Sequence, residues 1–182
     1  AWYRHDFTFE DGNGLGIVGG LIDATDLLDE NAYANDEFTQ FMNSALVNGP
    51  NTFLPSYDPG VAVDWHIGRW SFHGAYMNID KEESNSDTGF YALQVAWQPE
   101  TRFGPGNYRL ILTRTGRGFL DPGGVNRERR EDLIISIDQA LGERIGVYAR
   151  IEVQEDNAAV IAEATWSTGV QLGGYGRGRP AD

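Results

Sequence analysis

The chain has 182 residues, a net charge of −13 and no cysteine. That length suits one domain with its own core. The acidic balance leaves no basic stripe for nucleic acid, and the missing thiols exclude a disulfide framework, a thiolate metal site and a thiol nucleophile. No apolar run approaches the ~20 residues of a spanning helix, but that does not touch strands, where only alternate residues would face lipid. No signal peptide opens the chain at Ala1, so an exported protein would be present here in mature or truncated form.

Strand-like runs follow one another at Trp2–Phe9, Leu15–Ile22, Gly60–Ile67, Trp70–Asn78, Gly89–Trp97, Asn107–Thr115, Asp132–Ala140, Ile145–Val153 and roughly Ile161–Leu172. Their joints alternate in length. Asp11-Gly12-Asn13-Gly14 is tight, and Asp23 to Pro59 is long. Gly68-Arg69 has two residues, with Gly where a type II′ turn needs it. Ile79–Thr88 is longer and polar, Gln98–Gly106 moderate, Gly116–Glu131 long and Leu141–Arg144 tight. Short turns at one end and long loops at the other describe an up-and-down outer-membrane barrel.

Within the runs the period is two. Val61, Val63, Trp65 and Ile67 share one face, and Ala62, Asp64 and His66 the other. Tyr91, Leu93, Val95 and Trp97 oppose Phe90, Ala92, Gln94 and Ala96; Leu110 and Leu112 oppose Arg109 and Ile111. Val147, Ala149, Ile151 and Val153 oppose Tyr148, Arg150, Glu152 and Gln154. Helical spacing would scatter these sets. Aromatics cluster near strand ends (Trp65, Trp70, Trp97, Tyr108, Trp166), as an interfacial girdle requires. A soluble β-sandwich would also alternate. Charge at mid-strand on the opposite face favours a water-filled lumen instead.

The long joint, residues 23–59, carries helix formers and caps. Asp23 or Thr25 is placed to cap one turn, and Asn35 or Asp36 a second that would gather Phe38, Phe41 and Met42. Such a loop is expected to fold into the lumen, with Asn35, Glu37 and Phe38 near the narrowest passage. Asp23, Asp26, Asp29 and Glu30 offer oxygens of the kind calcium takes, but without the Asp-x-Asp-x-Asp-Gly spacing, so capping and solvation are the favoured reading.

Gly19–Asp26, Asn31–Glu37 and Gln40–Asn43, then Ile137–Glu143, Ile145–Arg150, Trp166–Gly174 and Gly178–Asp182, resemble in order the carbohydrate-selective porin (OprB-like) family of Gram-negative outer membranes. The resemblance implies an all-β antiparallel transmembrane barrel of about sixteen strands, passing sugars or other small solutes. Nine strands are too few for it, so the chain, 1–182, reads as one barrel segment. Its remaining strands come from elsewhere, and a homo-oligomer or another chain are both open as partners beside the lipid bilayer.

No catalytic residue or cofactor is expected, and the chain reads as a non-enzyme. His5, His66 and His73 lack metal-ligand spacing, and a structural or lumen-polar role is favoured over zinc. Ser71 and Ser136 lie in strands without a Gly-x-Ser-x-Gly elbow. The pair Glu82-Glu83 and Asp132 sit in loops or strand ends, where solvation explains them. No phosphate cradle is supported, because the glycine-rich stretches precede no helix. The expected solute contacts are Arg109, Arg150, Glu152, Gln94, Asp64 and His66 on the polar face, together with the insert residues. Arg4 and Asp6 share that face, with Tyr3, Phe7 and Phe9 outside. Arg109 and Arg150 are expected to point at water. The alternative function is a soluble or surface β-sandwich that binds glycans or assembles with copies of itself.

Overall fold

The computed structural model describes residues 1–36, 38–41, 43–50, 52–79 and 88–173. Glu37, Met42, the Glu82-Glu83 pair and the tail from 174 onward lie outside the described residues. Strands β1 (Trp2–Thr8) and β2 (Gly14–Asp23) come first. A single 3-10 turn at Ala24–Asp26 and a short helix α1 (Ser44–Val47) occupy the insert. Then follow β3 (Ser56–Ile67), β4 (Trp70–Ile79), β5 (Thr88–Trp97), β6 (Glu100–Thr101), β7 (Gly104–Thr115), β8 (Phe119–Leu120), β9 (Arg127–Glu128), β10 (Glu131–Ala140), β11 (Ile145–Gln154) and β12 (Ala164–Leu172).

The protein is all-β and antiparallel. Nine strands pair strictly in sequence order, β1-β2-β3-β4-β5-β7-β10-β11-β12, in one open sheet. The two-residue β6 pairs with the start of β7, and β8 with β9, in small hairpins that carry no periodic signal in the sequence. The nine expected runs are all present with ends moved by a few residues. The last begins at Ala164 rather than Ile161. Gly68 has φ 58°, as the two-residue turn requires. The neighbouring short turn is tied to it by the Gly68 N–H, which donates to Asn13 Oδ1 at 3.0 Å.

Register turns the period of two into rows. His5, Ile17, Val63, Gly74, Leu93, Leu112, Leu133 and Val153 stand directly opposite one another across the sheet. So do Phe7, Leu15, Trp65, Phe72, Val95, Leu110, Ile135, Ile151 and Trp166. Toward the long loops these rows are flanked by Tyr76 and Tyr91, ring centroids 5.1 Å apart. Toward the short turns they are flanked by Trp70, Trp97 and Tyr108, at 6.3 and 5.6 Å. The face is bare. Trp65, Trp70 and Trp97 are 47%, 48% and 42% exposed, which for rings of this size leaves roughly 300 Å² uncovered on three residues. A soluble monomer's largest apolar patch is about 300–600 Å² in all.

The opposite face is covered by the insert. At its long-loop end Val18, Ile22, Ala62, Met77, Phe90 and Ala92 form an apolar cluster with Ala24, Leu27 and Leu28, and Phe53 and Leu54 pack against it. The sheet's "polar" face is therefore apolar at this end. Met77 and Phe90 are fully buried. Phe90→Ala is expected to cost about 3–5 kcal/mol, because the insert has nothing else to fill that volume. Leu93→Ala, on the bare face of the same strand, should cost far less. Equilibrium denaturation of the two variants checks this, and equal losses would mean the two faces are misassigned.

Candidate functional site: the covered face and its insert

The insert leaves the sheet through a β-bulge. Ile22 pairs with Asp58 and Asp23 with Ser56, so Tyr57 is the extra residue, at φ 61°. Asp23 caps the 3-10 turn. Its Oδ1 accepts from the Thr25 N–H (2.9 Å), the Thr25 hydroxyl (2.7 Å) and the Ser56 hydroxyl (3.2 Å). The second turn is capped by Asp36, whose carboxylate accepts from the Phe38 N–H at 2.8 Å and the Thr39 hydroxyl at 2.5 Å. These bonds hold the Asp36 carboxyl below its usual range, the Thr39 hydroxyl contributing most. The helix itself starts later than expected, at Ser44, behind an Asn43 cap (Ala45 N–H to Oδ1, 2.9 Å).

Two arginines of the covered face fasten the insert. Arg109 pairs with Asp138 (Nη1 to Oδ2, 2.6 Å) and donates from Nη2 to the Glu30 carbonyl. Arg150 lies 2.6 Å from Asp29 Oδ2 and donates to the carbonyls of Ala34 (2.9 Å) and Leu46 (3.2 Å). One Nη1 and one Nη2 N–H are taken by those carbonyls, and Nε has no partner. The ion pair is therefore close but not aligned as a hydrogen bond, and neither Asp29 oxygen has a well-formed one. Burial pushes the Asp29 carboxyl upward, against the pull of Arg150, the Ser136 hydroxyl and Arg109. Such a pair contributes position more than stability.

These contacts correct three expectations. Arg109 and Arg150 do lie on the face opposite Leu110 and Ile151, but they are 3% and 1% exposed and do not point at water. Arg150 pairs instead with Asp29 of the insert. Glu152 accepts from Thr165 Oγ1 at 2.9 Å, and Gly49 lies against its carboxylate, where any Cβ would clash. Asp29 is fully buried rather than solvated.

Backbone and small side chains complete the seam. The Asp29 N–H donates to Gln94 Oε1 (2.8 Å), Asn31 Nδ2 to Ser136 Oγ (3.1 Å), and the Ala32 N–H to Asp138 Oδ2 (3.3 Å). Gly146 and Gly169 leave room for the rings of Tyr33 and Phe41, which a Cβ at these positions would meet at 2.3 and 3.0 Å respectively. Phe38, in contrast, is 89% exposed and anchors nothing. Asn35 accepts from Asn48 Nδ2 (3.1 Å), inside the insert.

Between the insert and the short-turn half of the sheet a polar cleft of about 160 Å³ remains open. It is lined by Arg4, Asp64, His66, Ser71, His73, Gln94, Gln98, Asn107 and Arg109, with Asp26, Leu27 and Glu30 as its roof. Asp64 is its centre: it accepts from Arg4 Nη1 (2.6 Å) and faces His73 Nδ1 (2.9 Å). The expected site residues Asp64, His66, Gln94 and Arg109 thus converge here, whereas Arg150, Glu152, Asn35 and Phe38 do not. Sequence inspection passed over Gln98 and Asn107, which flank the hairpin containing β6. Among the described residues no group of three or more His, Asp or Glu side chains is arranged to hold a metal ion.

Over 86 residues the chain is 35% identical to a protein of Aquifex aeolicus (strain VF5) described as an uncharacterized protein. The match covers 47% of this chain and 26% of that protein's length. No family model matches the chain, and no solved structure matches it.

Arg150→Ala is expected to free the insert, because it removes one ion pair and two carbonyl bonds and leaves Asp29 as a buried charge, a loss of about 3–5 kcal/mol. Arg114→Ala breaks a pair with Glu131 (3.1 Å) that is largely exposed, and should cost under about 1 kcal/mol. Limited proteolysis reads the difference as cleavage within the insert in the first variant only.

Proposed function

We propose that this chain forms part of the wall of an outer-membrane β-barrel pore. The insert narrows a passage for sugars and other small hydroxylated solutes, as the resemblance to carbohydrate-selective porins implies. One observation carries the reading: the apolar face is bare and the charged face is the one covered. A sandwich buries its apolar face against a second sheet, so the arrangement tells against the soluble alternative. Strand lengths support the same reading. Seven strands, β2, β3, β4, β5, β7, β10 and β11, have ten to twelve residues, close to the ~9–11 of a tilted spanning strand. The six-residue rise from Trp70 to Tyr76 covers roughly 20 Å along the strand, so the two aromatic rows bound an apolar band, as the girdles of outer-membrane barrels do. The short turns then face the periplasm and the long loops the exterior.

Among the described residues β1 and β12 each pair on one side only. A closed wall needs further strands at those edges, from a second copy or another segment, and lipid against the bare face.

In the full-length protein this reading predicts recovery in the outer-membrane fraction and insolubility without detergent. In proteoliposomes, removing the insert should speed swelling with larger sugars. Recovery as a soluble protein would sink the proposal, and an unchanged size cut-off would place the insert outside the passage.

The sign of the passage also follows. Arg109 and Arg150 are neutralised by Asp138 and Asp29, whereas Asp26 and Glu30 are exposed on the roof of the cleft. Local charge sets pore selectivity, so Asp26→Asn with Glu30→Gln should lower cation preference in a planar bilayer, measured as a reversal-potential shift in a salt gradient. Arg109→Ala should act first on insert docking.

A further inference from the structure

Ser71 and His73 are two residues apart on β4, so both side chains leave the same face of the strand. Asp64 stands directly opposite His73 on β3. His73 Nδ1 lies 2.9 Å from Asp64 Oδ1, and His73 Nε2 lies 3.2 Å from Ser71 Oγ. A carboxylate only accepts, so the proton of a neutral His73 sits on Nδ1. That leaves the lone pair on Nε2 facing the Ser71 hydroxyl, which donates to it. Nucleophile, base and orienting carboxylate are thus in the order by which such constellations are recognised, whatever the fold or sequence spacing. Arg4 holds the other oxygen of Asp64 at 2.6 Å and acts as a positioning residue.

All three groups line the cleft beneath the insert. The cleft supplies donors as well. Gln94 accepts the Asp29 N–H through Oε1, which leaves its amide N–H groups to donate, and Gln98 and Asn107 bring further amides. Preformed donors of this kind stabilise a developing oxyanion. The cleft is small and polar, which favours a short acyl group over a long one.

We propose that Ser71, His73 and Asp64 form a hydrolytic site that cleaves short-chain carboxylic esters, in particular acetyl esters of small hydroxylated solutes. Ser71 Oγ attacks the ester carbonyl carbon as its proton passes to His73 Nε2. The carbon–oxygen bond to the alcohol then breaks, and that oxygen leaves with the proton from His73. Water attacks the acyl-serine, giving its proton to His73, and the carboxylic acid departs as Ser71 Oγ regains a proton. No electrons are transferred, and water is the only co-reactant. The site goes beyond the passage reading and stands without it.

The test uses the full-length protein in detergent micelles, with p-nitrophenyl acetate as substrate and a small fluorophosphonate as trap. The expected result is phosphonylation of Ser71, found by peptide mapping, and ester hydrolysis that Ser71→Ala abolishes. His73→Asn should lower the rate by about 10²–10⁴-fold, and Asp64→Asn should lower it and move its pH profile. Ser167→Ala, at a serine of the same face on β12 that does not line the cleft, should leave labelling in place. Ser71→Cys puts a single thiol into a sequence that has none, and its alkylation should extend to a lower pH than a free thiol's if His73 pairs with it. No labelling of Ser71 in folded protein, hydrolysis that survives Ser71→Ala, or an ordinary thiol profile in the Ser71→Cys variant would each overturn the proposal.

Discussion

Two buried guanidinium groups hold the molecule's parts in relation. Arg109 and Arg150 rise from neighbouring regions of one sheet face and take the carbonyls of Glu30, Ala34 and Leu46. An arginine cannot shed its charge to suit its surroundings. Once the alternation of β7 and β11 places these side chains on the covered face, they must be met by carboxylates and carbonyls. Asp138 comes from the sheet, and Asp29 from the insert. The insert's path is set by that demand, and the open cleft is the space left beneath it.

The sheet inverts the usual relation between polarity and exposure. Aliphatic rows lie bare, while arginine, aspartate, glutamine and serine are covered. In water this would be costly along the whole bare face, and the covered polar groups would stabilise little. In the proposed membrane setting, hydrocarbon against the bare face would remove the first objection. The aromatic rows then sit where ring and polar tip have different neighbours.

The nine strands and their facing could be read from sequence because each strand obeys one period and each short turn carries glycine. Val63, Trp65, Phe72, Leu93, Leu110, Ile135 and Ile151 do share one exposed side. What could not be read depends on contacts between distant segments. Asp29 looks like any acidic loop residue until Arg150 lies 2.6 Å away. Ser71 lacks a local motif, and its connection to Asp64 runs through a cross-strand pair. The apolar cluster around Met77 and Phe90 was hidden because both faces of the strands are apolar at that end, which blurs alternation. Tyr33 and Phe41, not Phe38, are the insert's anchoring rings, and the clue was the glycines opposite them.

The insert's bonds join residues far apart in the chain: Asp29 to Gln94, Asn31 to Ser136, and Ala34 to Arg150, separations of 65, 105 and 116 residues. Closing loops of that length carries an entropic cost that must be met before the contacts form. The first part of the insert can settle on the cluster built by β2 to β5, but the bonds of Asn31 and Ala34 have no partners until β10 and β11 have joined the sheet. That part of the insert precedes its partners in the sequence and can dock only after them. Until then the arginines that will hold it stand open to water, and the face destined for the interior of the molecule stays hydrated while the sheet is still being built.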